Sequence, residues 1–221
     1  MSRASFDRQL AELQDDMLVL GNMVDRAIDQ AVEALKRRDN ELAKRIISED
    51  LLINRKRFEI EEKCLHIMAR QQPLASDLRI LAAVLNIITD LERMADHAEG
   101  IAKITLMHGD EPLLKPLVDV PRMAEKARDM LRRSLDSFIT RDVELAQKIS
   151  AEDDEVDALY DRVYRELLGY MIRDQSTIER ATFLLWVAHN LERIADRVTN
   201  ICERVVFLVT GHMEEMNVSK Y

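Results

Sequence analysis

Leu91-Glu92-Arg93-Met94-Ala95-Asp96 recurs as Leu191-Glu192-Arg193-Ile194-Ala195-Asp196, one hundred residues further on. Arg38-Asp39-Asn40-Glu41-Leu42-Ala43 likewise returns as Arg141-Asp142-Val143-Glu144-Leu145-Ala146, and Glu49-Asp50 as Glu152-Asp153, here one hundred and three residues on. Self-similarity over about 90 residues marks a duplicated supersecondary unit rather than chance. The change of spacing between the two matches makes the second helical hairpin three residues shorter than the first.

Around these anchors the apolar residues follow helical periods. Leu10, Leu13, Met17, Leu20, Val24, Ala27 and Ala31 alternate steps of three and four, the stripe of a long helix in a bundle. Lys36-Arg37-Arg38 suits a helix end and Asp39 a following N-cap, so the chain should reverse there into a second helix ending near Gln71-Gln72-Pro73. Ser76 or Asp77 is expected to cap a third helix, running to about His108. Pro112, Pro116 and Pro121 then interrupt a stretch without helical period. The second set should run from Pro121 to Thr140, Asp142 to Arg173, and Ser176 to Thr210, with Ser176-Thr177-Ile178-Glu179 as a capping box and Gly211 as the stop. The expected fold class is all-α: two tandem three-helix bundles, 1–109 and 121–211, joined by a Pro-rich linker at 110–120 and followed by a tail at 212–221.

Composition agrees with this class and excludes others. The 221 residues are 47% hydrophobic and 33% charged, with only five Gly and four Pro, enough apolar surface for a continuous core and few of the turns that sheets need. A net charge of −9 repels phosphate backbones and argues against nucleic acid as a partner. No apolar run approaches the roughly 20 residues of a membrane span, and no apolar segment follows the basic N-terminus, so a cytoplasmic protein is expected, touching a membrane only through partners. Cys64 and Cys202 lack any metal or redox spacing and read as reduced core thiols.

The chemistry resides in acidic residues. Glu92, Asp96 and Glu99 fall at i, i+4 and i+7 and share one helix face; Glu192, Asp196 and Glu203 repeat the arrangement, with Thr199 or Asn200 between. The first helix of each unit carries a matching pair, Asp25 with Asp29 and Glu125 with Asp129. Carboxylates converging from two helices repel one another, and hard cations with oxygen ligands relieve that repulsion. Without His or Cys spacing the ligand set favours Mg, Mn or Fe over Cu, and a polynuclear site follows. The bland alternative is a solvated acidic face partly paired with Arg93, Arg193 and Arg197. His97, beside Asp96, is a candidate extra ligand.

Asp-Leu-Glu-Arg-Met-Ala-Asp-His at 90–97 and Asn-Leu-Glu-Arg-Ile-Ala-Asp-Arg at 190–197 resemble the paired acidic motifs of the PhoU family. Ala69-Arg-Gln-Gln-Pro-Leu-Ala-Ser-Asp-Leu-Arg79 resembles that family's helix-turn segment before the third helix, and the likeness extends from about Phe6 to Gly211 in the family's two-repeat order. The resemblance implies a non-enzymatic regulator that represses the phosphate regulon when phosphate is plentiful. It would act between the phosphate-specific ABC transporter, through its ATPase, and a phosphate-sensing histidine kinase. It also implies divalent or trivalent metal ions (Fe, Mn, Mg or Zn) on the motif carboxylates, and it allows a homodimer. Gly100 stands where the second copy has Asn200, and Lys103 where it has Glu203, so the first site is expected to have fewer ligands. The alternative from another class is a di-metal carboxylate bundle enzyme. That class needs Glu-x-x-His pairs, and the chain has none.

Overall fold

An Arg-Asp pair ends one helix and starts the next in each half of the chain. Arg38 and Arg141 both adopt the left-handed conformation, with φ of 56° and 58°. The amide after each bonds back across the helix end, Asp39 N–H to Ala34 O at 2.9 Å and Asp142 N–H to Ser137 O at 3.0 Å. This is the αL stop that glycine usually supplies, and an arginine in it costs about 1 kcal/mol. The following aspartate then acts as N-cap: Asp39 Oδ1 accepts from Leu42 N–H and Asp142 Oδ1 from Leu145 N–H, both at 2.9 Å.

The computed structural model describes residues 3–71, 73–109, 111–213 and 215–216. Among them it forms α1 (Arg3–Arg37), α2 (Asn40–Gln71), α3 (Ala75–His108), α4 (Asp119–Thr140), α5 (Val143–Ala151), α6 (Asp153–Arg173) and α7 (Ile178–Thr210), with a 3₁₀ turn at Gln175–Thr177 and no strand. Four details depart from the sequence expectation. The single helix expected over 142–173 is broken at Glu152, where Glu152 N–H bonds to Ile149 O and Glu155 N–H to Glu152 O in tight three-residue steps. The capping box at Ser176 is not formed, because Asp174 has already taken the Ser176 amide at 2.9 Å. At the start of α3, Leu74 is the N-cap and makes no side-chain bond, so Ser76 and Asp77 lie inside the first turn instead of capping it. The fourth helix also begins two residues before Pro121, whose missing N–H costs nothing in a first turn.

The expected stripe of α1 is the core: Leu13, Met17, Leu20, Val24 and Ala31 are fully buried, with Leu10 and Ala27 at its margin. Truncating any of its larger side chains to Ala should cost about 2–5 kcal/mol. α1, α2 and α3 pack together as one bundle, and α4, α5, α6 and α7 as the other. The bundles join along α3 with α7 and α1 with α4.

The pairing along α3 and α7 is antiparallel and follows the duplication. Asp90 accepts from Asn200 Nδ2 at 3.0 Å and meets Arg197 Nη1 at 3.4 Å. In the reciprocal place, His97 Nδ1 donates to Asn190 Oδ1 at 2.9 Å, and Asn190 Nδ2 donates to the Trp186 carbonyl, fixing the amide. The hundred-residue offset turns 90 into 190 and 97 into 197, so the repeats meet as two copies would across a twofold axis. Close approach is provided by missing side chains. A Cβ on Gly100 would sit 3.2 Å from Asn190 Oδ1, and one on Gly21 would collide with Leu135 of α4.

Candidate metal centre

In the first repeat α3 presents Glu92, Asp96 and Glu99 on one half-buried face, as their spacing requires. The residue that faces them is Asp50 of α2. Burial pushes its carboxyl up to about 6, and the charges of Glu99, Asp96 and Glu92 act in the same direction. Asp50 Oδ2 accepts from Asn54 Nδ2 at 2.7 Å, while Oδ1 is buried with no hydrogen-bond partner. Partial neutralisation comes from Lys103, 2.6 Å from Glu99, and from Arg93, 3.2 Å from Asp96 and 3.6 Å from Glu92. A cavity of about 240 Å³ opens beside the cluster, and α1 lines it with Arg26 and Gln30.

The second repeat builds the equivalent cluster, with its buried carboxyl pushed up further. Asp153, at the break between α5 and α6, is 2% exposed. Burial first, then the charges of Asp157, Asp196 and Glu192, push its carboxyl up to about 7. Glu192 is pushed up to about 7 by burial and by Asp196, against the pull of Arg193. Asp196 is raised by burial although Arg193 Nη1 donates to it at 2.6 Å. Glu192 Oε2 is buried without a hydrogen-bond partner, with His189 Nδ1 at 3.5 Å. Glu152 takes the opposite course. Arg133 grips it with bonds of 2.8 and 2.9 Å and Lys126 lies at 2.9 Å, holding its carboxyl down at about 2.

The structure brings together only some of the residues singled out by spacing. Asp25 and Asp29 are paired with Arg128 of α4: Nε donates to Asp25 Oδ1 at 2.9 Å, Nη2 to Asp25 Oδ2 at 3.1 Å, and Nη1 to Asp29. They hold the two repeats together and are not gathered with Glu92 and Asp96. Asp129 is paired with Arg133 at 3.0 Å, and Glu125 is exposed beside it. Asn200 turns across the repeat boundary to Asp90, and Glu203 accepts from the Met216 backbone N–H at 3.1 Å. His97, weighed as an extra ligand, is engaged with Asn190. In the other direction, spacing on one helix missed Asp50, Asp153 and Asp157, which lie on the second helix of each unit. The return of Glu49-Asp50 as Glu152-Asp153 was the signal available for two of them.

Among the described residues no three His, Cys, Asp or Glu side chains form a ready coordination group. The donor chemistry nonetheless fits a hard cation. Each cluster sets several carboxylates around an acid that burial first, and then its neighbours' charges, push up, Asp50 in one and Glu192 in the other, and in each that acid keeps a buried oxygen without a hydrogen-bond partner, Asp50 Oδ1 and Glu192 Oε2. The cysteines take no part, since burial pushes both thiols up to about 12.

Comparison with known proteins matches the duplication. The PhoU domain model fits twice, at residues 17–105 and 120–205. The chain is 38% identical to the phosphate-specific transport system accessory protein PhoU homolog of Clostridium acetobutylicum, over 98% of this chain and all of that one. It is 34% identical to the phosphate-specific transport system accessory protein PhoU of Escherichia coli, over 93% of this chain and 86% of that one. Among solved structures, the phosphate transport system regulatory protein PhoU of Streptococcus pneumoniae superposes with a TM-score of 0.88 at 35% identity, covering 95% of this chain and 99% of that one. PhoU of Pseudomonas aeruginosa gives 0.89 at 33%, covering 94% and 100%. Two PhoU domains and relatives alike along nearly their whole length make this chain a member of the PhoU family.

Proposed function

We propose that this chain is a regulatory accessory protein of phosphate-specific transport, binding cations on its two acidic clusters and acting by docking to partners rather than by catalysis. The relatives' names support the transport role and none of them names an enzyme. The observation that carries the metal part is the recurrence, at equivalent places in both repeats, of a half-buried carboxylate cluster that the protein's own arginines and lysines leave undercompensated. Asp50, Glu92, Asp96 and Glu99 would hold the cation in the first repeat, and Asp153, Asp157, Glu192 and Asp196 in the second. Fe, Mn, Mg and Zn all suit oxygen donors. What a bound cation supplies is neutralisation, and a bridge between this acidic surface and an acidic partner.

Among the described residues no helix is long and apolar enough to cross a membrane. Contact with the transporter would run through its ATPase, with the phosphate-sensing histidine kinase as the second partner. Deleting the gene should leave phosphate-starvation genes switched on in high phosphate, and tagged protein should co-purify with the ATPase or the kinase. Normal repression in the deletion strain, together with no co-purification, would reject the role. Chelation should weaken the association if cations bridge it. A cation that serves the fold alone would instead lower the melting temperature of the isolated protein when removed.

A further inference from the structure

A second cavity, of about 360 Å³, lies between the repeats where α3 begins and α7 stops. It is lined by Ser76, Asp77 and Arg79 of α3, Arg141 in the turn before α5, and Leu208 and Val209 of α7. None of these residues belongs to the acidic clusters, and its size is at the lower end of the roughly 300–1,000 Å³ of small-molecule sites.

Its charge pattern is unusual for a chain of net charge −9. Arg79 and Arg141 have neither an ion pair nor a hydrogen bond among the described residues, and Arg79 Nε is buried without a partner. The Arg79 guanidinium is seated against Gly211, where any Cβ would collide with Nη1. Asp77 is the one opposing charge on the wall; it is 5% exposed and already engaged in an interaction of its own. The Ser76 hydroxyl adds a donor beside a helix start that no side chain caps.

A purely structural account would make Arg79 a counter-charge to the C-terminus of α7. Two observations weigh against it. The guanidinium makes no bond to the carbonyls there, and the duplicated unit has Glu179 where this one has Arg79, so the fold itself does not need a cation at that point. Two planar guanidinium groups and a hydroxyl around one cavity match the recognition of a tetrahedral oxyanion.

We propose that Arg79 and Arg141 form a phosphate-binding site between the repeats, taking the phosphate group free or as the terminal group of a small phosphoester. The choice of phosphate rests on the transport role proposed above; the cavity and its arginines do not. Full-length protein, stripped of metal with chelator, would be titrated calorimetrically with inorganic phosphate and with AMP at constant ionic strength, with chloride as control. Saturable phosphate binding with Kd below about 1 mM is expected, weakened at least about tenfold in Arg79→Ala and in Arg141→Ala, partly kept in Arg79→Lys and unchanged in Arg165→Ala, an exposed arginine of α6 away from the cavity. Melting curves would verify that each variant is folded. Binding of AMP without inorganic phosphate, still dependent on both arginines, would assign the site to a phosphoester. No saturable binding of either, or binding that survives both alanine variants, would overturn the site. That outcome, with repression still lost on deletion of the gene, would leave the accessory role standing.

Discussion

Asn54 in the first repeat and Asp157 in the second stand at equivalent points, each four residues beyond the aspartate that faces the motif acids, and this exchange of amide for carboxylate separates the two acidic clusters. Asn54 donates to Asp50 and stabilises its charged form, whereas Asp157 repels Asp153. Lys103 neutralises Glu99 in the first repeat, whereas in the second the charges of Asp157, Asp196 and Glu192 add to burial in raising Asp153. The carboxyl rises to about 6 in one copy and about 7 in the other. Duplication kept the packing and let the charge diverge, so the second cluster should hold a cation more tightly.

The most severe way to break that comparison is to remove ligands. Glu192→Gln with Asp196→Asn should weaken the second site at least about hundredfold, and Glu92→Gln with Asp96→Asn should empty the first, as read by elemental analysis and calorimetry. Unchanged metal content with all four replaced would assign them to a solvent-facing acidic surface.

Next in size is a pH effect on the metal-free protein. Asp153 and Glu192 have folded-state values of about 7, above their ordinary 3.8 and 4.5. Stability associated with them is full below about pH 4, falls as pH rises through 7, and is level above that. Asp153→Asn should therefore stabilise the metal-free chain at pH 8 by on the order of 2 kcal/mol and have little effect at pH 4. Coupling between the two acids keeps this below the roughly 1.4 kcal/mol per pH unit of an isolated group. Denaturant titration at the two pH values gives the difference, and equal effects at both would contradict it.

The ion pairs between repeats provide a smaller test, because they hold acids that resemble the motif pairs but are already neutralised. Arg128→Ala should cost about 1–3 kcal/mol by stranding Asp25 and Asp29, with metal content unchanged. Loss of metal in that variant would place the α1 pair back in the first site. The smallest change is Asn54→Asp, which makes the first cluster resemble the second. It should raise cation affinity there about tenfold while lowering metal-free stability at pH 8 by about 1 kcal/mol. Unchanged affinity would mean that Asp157 is not what separates the repeats.

Most of the helices were legible because their causes are local. The stripe from Leu13 to Ala31 and the Arg-Asp turn at 38–39 and 141–142 depend on residues within one or two turns of chain. The break at Glu152 was not legible, since nothing in the local pattern distinguishes α5 and α6 from the unbroken α2; it coincides with the hold that Arg133 and Lys126 of α4 have on Glu152. Ser176 looked like a cap and was forestalled by Asp174, two residues earlier, which reaches the same amide.

For the acidic residues, sequence alone determined which carboxylates share a helix face, and that the arrangement occurs twice. It did not determine which faces meet. Asp25 with Asp29 and Glu92 with Asp96 have the same i, i+4 spacing, yet the first pair faces Arg128 of α4 and the second faces Asp50 of α2. Spacing sets angles around one helix axis, whereas the rotation of each helix against its neighbours is set by how the apolar stripes of all of them pack. That rotation brought Asp50, Asp153 and Asp157 into the clusters, and turned Asn200 away to Asp90 on the other repeat.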